Sequence, residues 1–242
     1  MDFKGYVLSL SLKELKDGYP DSYPFNIPSI RSLNNLSFHP SVTYITGDNG
    51  AGKSTLIEAL AVYLGFNPEG GSKNFNFNTR ESHSDLHNYL SVSKGLTKIQ
   101  DGYFLRSESF FNVATEIDSM DRRLLDSYGG VSLHEQSHGE SFWALFFNRF
   151  GGNGLYILDE PESALSATRQ MAMLSHIHNL VNRRSQFIII THSPILLAYP
   201  NSIIYEMSAE KIVKVSYKET EIYKIYKGFL DDTDNMLSII LD

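Results

Sequence analysis

The chain has 242 residues and a formal net charge of −7, with 42% hydrophobic and 20% charged residues; a chain of this length buries roughly 70–75% of its unfolded surface, enough for one large core or two small ones. It has no cysteine, which excludes disulfides, thiolate metal sites and cysteine nucleophiles and fits a reducing compartment. No apolar run reaches the ~20 residues of a membrane span and no signal-peptide pattern opens the chain, while the acidic balance does not indicate a surface that grips nucleic acid unaided, although net charge leaves a local patch open.

Phe3, Tyr6, Leu8, Leu10 and Leu12 alternate with other residues and predict a first strand, at a sheet edge. Between Lys16 and Pro28 the composition shifts to Tyr, Pro, Asp, Ser and Asn, which predicts a loop. Its rings Tyr19, Tyr23 and Phe25 carry two readings: stacking on a nucleotide base, or pinning the loop to the core. Val42 to Thr46 is the next strand, and it runs into Gly47-Asp48-Asn49-Gly50-Ala51-Gly52-Lys53-Ser54-Thr55. That stretch matches the phosphate-binding pattern G-x-x-x-x-G-K-[ST], in its expected setting between strand and helix. Glycines let the backbone take positive φ and approach phosphate oxygens. Lys53 is placed to reach the β and γ phosphates and Ser54 to ligate Mg²⁺, while the helix that follows points its positive end at the same anion. A nucleoside triphosphate is therefore the expected ligand. The helix covers Lys53 to Leu64, with Leu56, Ile57, Leu60 and Leu64 on one face, and Gly65 and Pro68 stop it.

Gly70-Gly71 and the alternation Asn74 to Asn78 predict a turn and a short exposed strand, and Ser84 to Ser93 a helix. His83 and His87 stand four apart, as a metal site on one helix face requires. No third ligand is evident, and solvated or core-facing imidazoles account for the pair. Asp101 to Arg106 is a strand, followed by Ser107-Glu108-Ser109 and an aromatic helix start at Phe110-Phe111; residues 116–130 belong on the surface. Ser137-His138-Gly139-Glu140-Ser141 then opens an apolar helix. Ser137 and Glu140 fit a capping box, and the same small residues leave a bare helix N-terminus suited to an anion.

Gly154 to Leu158 is a buried strand ending in Asp159-Glu160-Pro161-Glu162, so two adjacent carboxylates stand where ligands sit in open α/β sheets. Asp159 is placed to hold Mg²⁺, and Glu160 to orient the attacking water or take its proton. A helix follows over 166–183, with Met171, Leu174, Ile177 and Val181 expected on the core side. The strand Phe187 to Ile190 ends in Thr191-His192-Ser193-Pro194, which puts His192 on the same edge as Asp159, within reach of a γ-phosphate. A short apolar helix, a strand from Ser202 to Glu206, a hairpin-like pair around Lys211 to Tyr217 and two short helices near Glu221–Phe229 and Asn235–Leu241 complete the chain.

Gly47–Thr55, Ser137–Ser141, Leu155–Glu160, Ser163–Ser166 and His192 together resemble, in order and spacing, the ATP-binding-cassette (ABC) ATPases: P-loop, signature, metal-and-base strand, D-loop and switch histidine. The fine sequence is most similar to small stand-alone "AAA family ATPase" proteins related to SMC and RecF-type heads, over nearly the whole chain. The resemblance implies one α/β domain over 1–242, with a mostly parallel central sheet flanked by helices, an antiparallel N-terminal portion and a small helical lobe near 67–140. It also implies ATP hydrolysis with Mg²⁺ in a cytoplasmic head-to-tail homodimer, where Ser137, Gly139 and Glu140 of one copy close on the nucleotide of the other. The implied role is a dimerisation switch acting on an effector protein or larger complex in DNA repair, DNA maintenance or phage-defence regulation; the alternative is the nucleotide-binding subunit of a membrane transporter. The sequence departs from the pattern at Gln136 and His138 in the signature and at Ser166 in the D-loop. Arg106 and Glu108 stand where a metal-contacting glutamine is expected, and Glu108 is the candidate to replace it.

Overall fold

The computed structural model describes residues 3–16, 18–72, 84–107, 115 and 138–241. In chain order the strands that build the sheets begin with β1 (Val7–Leu12), β2 (Leu36–Ser37) and β3 (Val42–Gly47), with a short helix α1 (Pro28–Arg31) between the first two. Helix α2 (Lys53–Tyr63) leads to β4 (Gly71–Ser72), β5 (Leu90–Lys94) and β6 (Asp101–Arg106). Then come α3 (His138–Arg149), β7 (Gly154–Asp159), α4 (Ala167–Asn182), β8 (Gln186–Ile190) and α5 (Pro194–Leu197). Strands β9 (Ile203–Met207) and β10 (Ile212–Val215) and helices α6 (Glu221–Asp231) and α7 (Thr233–Leu241) end it.

Seven strands form the main sheet in the order β10-β9-β3-β8-β7-β6-β4. Its inner pairings, β9 to β3, β3 to β8, β8 to β7 and β7 to β6, are parallel, and only the edge strands β10 and β4 run antiparallel. Because β3, β7 and β8 are covered on both faces, they carry the near-continuous apolar runs of a buried parallel sheet. The alternation of a strand then divides their side chains between two cores. Ile45, Ile157 and Ile190 face α2 and the N-terminal sheet; Tyr44, Tyr156 and Ile189 face α3 and α4.

A separate antiparallel sheet of order β2-β1-β5 packs over the α2 side. The first strand is therefore the middle of a small sheet and not an edge, since β2 and β5 pair with it on either side. Gln186, at the start of β8, joins the two sheets. Its Oε1 accepts the N–H groups of Tyr6 and Val7 at 2.8 and 2.9 Å, and its Nε2 donates to Val7 O and His39 O at 2.8 and 2.9 Å. A buried amide with all four capacities filled is a fixed joint, whereas an unpaired one costs roughly 1–3 kcal/mol per group.

Two further expectations are corrected. The segment Ser84 to Ser93 is not a helix: a 3₁₀ turn over Asp85–Tyr89 leads directly into β5, which pairs beside β1 and sends Leu90 and Val92 into the same core. Helix α4 buries Met173, Ile177 and Leu180 at i, i+4 and i+7; of the expected core side, Ile177 is buried and Leu174 and Val181 pack partly against the core, but Met171 is 55% exposed. The stripe Met171, Leu174 lies one step round the helix, along a groove shared with α5 and α6. No helix among the described residues is long and apolar enough to cross a membrane.

Candidate functional site

The P-loop lies where β3 meets α2. Gly47 has φ +118, and a Cβ on it would stand 2.1 Å from Met207 O, so the main chains of β3 and β9 approach too closely for any side chain. Asp48 N donates to the same carbonyl at 3.0 Å. Gly50 and Gly52 take φ +79 and +91, and Gly52 is the N-cap of α2. Ala51 is buried, and its carbonyl accepts the Ser29 hydroxyl at 3.1 Å. The loop thus turns under an anchored floor and presents the first turn of α2, whose N–H groups have no acceptor within the helix, to an open cleft of about 240 Å³.

Lys53 is 5% exposed, and its Nζ donates to Gly47 O and Asp48 O at 2.8 and 2.7 Å. Burial lowers the pKa of its ammonium, and Glu160, Asp159 and Asp48 pull it back toward the charged form. Ser54 Oγ donates to Asp159 Oδ1 at 3.3 Å, joining the P-loop to the end of β7. Asn49, Thr55 and Glu160 line the same cleft. Tyr23 completes it, with its hydroxyl 2.5 Å from Thr55 Oγ1 and its side chain largely exposed. The other two rings are occupied: Phe25 is buried and Tyr19 is stacked on it, centroids 5.3 Å apart. They pin the loop, and only Tyr23 is open to a base.

Glu160 follows β7 in the left-handed region, φ +51 and ψ +53, with its N–H bonded to Ile190 O at 3.0 Å. A non-glycine residue held there is strained by about 1–3 kcal/mol. The turn aims Glu160 across the sheet end at His192, whose Nε2 is 3.7 Å from Glu160 Oε1. Burial first, and then Lys53, lower the pKa of His192, while Glu160 opposes them, and the net shift favours the neutral imidazole. Gly47, Asp48, Asn49, Glu160 and His192 also line a second cleft of about 400 Å³ that reaches Glu206 and the start of α6.

The structure therefore brings Lys53, Ser54, Asp159, Glu160 and His192 to the C-terminal edge of the parallel sheet. It does not bring Gly139 and Glu140 there. They open α3, neither lines the two clefts, and a Cβ on Gly139 would come within 2.7 Å of Ala164 O. Ser137, Gln136, Glu108 and His83 lie outside the described residues, and the side chain of His138 is likewise not described. His87 sits in the 3₁₀ turn with Nδ1 3.2 Å from Ser84 O. Arg106 pairs with Glu58 of α2. Among the described residues, Ser107 touches the site: its Oγ donates to the carbonyls of Asp159 and Glu160 at 3.0 and 2.7 Å. Sequence reasoning also passed over Glu162, whose Oε1 accepts His192 N at 2.5 Å. The only signal for it is a carboxylate following Asp-Glu-Pro, and the motif assigns that position nothing.

Among the described residues no group of three or more His, Cys, Asp or Glu could enclose a metal. The Ser54 hydroxyl and Asp159 carboxylate fit Mg²⁺, which prefers hard oxygens, keeps several waters and takes its remaining ligands from phosphates.

A family model described as an AAA domain matches residues 25–235. Comparison with curated proteins gave no match. Among solved structures, cbiO1 from Clostridium perfringens, described as part of the ABC transporter complex cbiONQ, is 17% identical, with a TM-score of 0.52 over 93% of this chain and 95% of that one. An SMC head bound to the C-winged helix domain of ScpA is 16% identical, with a TM-score of 0.51 over 87% of this chain and 98% of that one. At such identities the likeness is one of fold. The family match covers most of the chain, and the chain belongs to the AAA-domain family, with the fold of ABC and SMC head domains.

Proposed function

We propose that the chain binds ATP with Mg²⁺ and hydrolyses it, as a single domain that completes its site by pairing head to tail with a second copy. The convergence of Lys53, the Ser54–Asp159 pair, Glu160 and His192 on one sheet edge carries this reading. Lys53 holds the β and γ phosphates, and Tyr23 is the surface for the base. Ser54 and Asp159 hold Mg²⁺, which when bound neutralises charge on the phosphate oxygens. Glu160 is the general base. Its carboxylate projects into the cleft beside Lys53 and orients a water in line with the γ-phosphate, taking its proton as attack proceeds. Neutral His192 donates from Nε2 to a γ-phosphate oxygen or to that water. A residue that only bound nucleotide needs no carboxylate held in a strained turn next to the metal aspartate.

Gly139 supports the pairing. Gly139 and Glu140 line neither cleft of their own P-loop, and Gly139 abuts Ala164, so this helix start serves a nucleotide only if that nucleotide belongs to another copy. The closed pair is then a switch that ATP makes and hydrolysis breaks, read by an effector protein or larger complex in DNA repair, DNA maintenance or phage-defence regulation. The test is phosphate release by wild type and Glu160→Gln at equal ATP affinity. The account expects a loss of about 100-fold or more in kcat for Glu160→Gln, the scale on which a general base acts; equal turnover removes Glu160 from the chemistry.

A further inference from the structure

We propose that Glu162 is a positioning residue for His192, and that Gln170 secures the same loop from its other side; this rests on the assignment of His192 to the γ-phosphate. Pro161–Ala164 is a single 3₁₀ turn that begins at Glu160. It folds Glu162 back under the sheet end instead of out to solvent. There its Oε1 accepts the backbone N–H of His192 at 2.5 Å, and its Oε2 is buried with no hydrogen-bond partner. None of the ion pairs among the described residues includes Glu162. Burial raises its pKa, outweighing the His192 amide and the Thr191 hydroxyl. A buried carboxylate without a cation is a poor choice for stability alone, since burying a charge costs free energy that neutral hydrogen-bond donors repay only in part. The amide it does bind belongs to the histidine that faces Glu160.

Gln170, on the first turns of α4, reaches the next residue. Ser193 Oγ donates to Gln170 Oε1 at 2.6 Å, while Gln170 Nε2 donates to Leu165 O at 2.9 Å. Ser193 Oγ also accepts the N–H groups of Ile195 and Leu196, both at 3.1 Å, at the start of α5. On the other flank, Thr191 N donates to Ile45 O at 3.2 Å. The histidine is thus held through residues 191, 192 and 193, and two of the three ties come from the segment after the base. The stretch 160–166 carries Glu160 and also sets the main chain of His192, so the two side chains are fixed relative to one another and not only to the sheet.

The experiment compares steady-state ATP hydrolysis by Glu162→Ala, Glu162→Gln, Gln170→Leu and His192→Ala, with nucleotide affinity and the amide ¹H shift of His192 measured alongside. Glu162→Ala is expected to lower kcat about tenfold or more with KM within about twofold, whereas Glu162→Gln, which keeps an acceptor oxygen, stays within about threefold of wild type. The double variant Glu162→Ala/His192→Ala should be no slower than His192→Ala, the non-additivity of residues acting through one group. The His192 amide proton moves upfield in Glu162→Ala and holds its place in Glu162→Gln. If Glu162→Ala keeps kcat while His192→Ala loses it, positioning is overturned and the histidine assignment stands; if both keep kcat, the assignment itself is wrong. Should Glu162→Ala fail to fold, Gln170→Leu decides: a fall in kcat of about threefold or more at unchanged nucleotide affinity supports the proposal, and wild-type kcat overturns it.

Discussion

Replacing Gly47, Gly52 and Gly50 with alanine one at a time separates two reasons for a glycine in this loop. At Gly50 the φ is +79 and nothing lies within 4 Å of a new Cβ, so the cost is conformational alone, about 1–2 kcal/mol. At Gly52, φ +91, the methyl would meet Ile30 and Ile27 side chains at 3.2 to 3.3 Å, contacts that small rotations relieve. At Gly47, φ +118, it would stand 2.1 Å from Met207 O and 2.7 Å from Met207 N, and backbone in a parallel ladder has nowhere to go. Relief must separate β3 from β9 and stretch the Asp48 N to Met207 O bond, adding about 1 kcal/mol for the bond to about 1–3 kcal/mol of backbone strain before any repacking is counted. The sum is about 2–4 kcal/mol, and at roughly 2–4 °C per kcal/mol for a chain of this size the Gly47→Ala melting point falls by about 4 °C or more. Thermal unfolding by circular dichroism, with urea midpoints as a check, should rank the losses as Gly47, then Gly52, then Gly50. A Gly47→Ala melting point no lower than that of Gly50→Ala would refute the steric reasoning.

Lys53→Ala should weaken ATP binding by about 100-fold or more, the scale of a charge-assisted contact removed from a buried site; unchanged affinity in calorimetry contradicts the phosphate cradle. Ser137→Arg should leave that affinity intact and eliminate hydrolysis if, as proposed, the residue acts on the nucleotide of the other copy; surviving turnover removes the signature role. Stability should fall as pH drops from about 7 to about 5: burial lowers the folded pKa of His39, His176 and His192, so the unfolded chain binds more protons over that range, and urea midpoints that hold steady speak against it. Glu162 has the opposite sign. Its folded pKa is raised, so its ionisation costs stability as pH climbs past its ordinary value, and the urea midpoint of Glu162→Gln should gain on wild type from about pH 4 upward; a constant difference across that range contradicts the buried carboxylate.

The chemistry of the edge was legible because it is written in contiguous motifs. Gly47 to Thr55 forces a strand, turn and helix by itself, and the apolar runs before Asp159 and His192 can only be buried parallel strands, whose C-terminal ends meet. Strand β1 was misplaced because its alternation reports one buried face and nothing about neighbours: β2 and β5 are too short and too polar to announce that they flank it. On α4 the expected Ile177 is buried and Leu174 and Val181 pack against the core, but Met171 is exposed and Met173 and Leu180 take the buried positions; residues one position apart share the same period, and only the sheet selects between them. Gln186 carried no signal, and Glu162 only its place after Asp-Glu-Pro. Each is a lone polar side chain whose partners lie far off in sequence, at Tyr6 and at His192, and long-range hydrogen bonds leave no pattern in a single chain. Tyr23 was one of three equivalent rings until packing consumed Tyr19 and Phe25.

The central claim is that this sheet edge is half of a site that a second copy completes. Light scattering of Glu160→Gln with and without ATP and Mg²⁺ tests it directly, since removing the base should leave binding intact and stop the reaction that opens the pair. The account predicts a monomer without ATP and a dimer with it, and a return to monomer when Ser137→Arg is added. A Glu160→Gln chain that binds ATP and stays monomeric contradicts it.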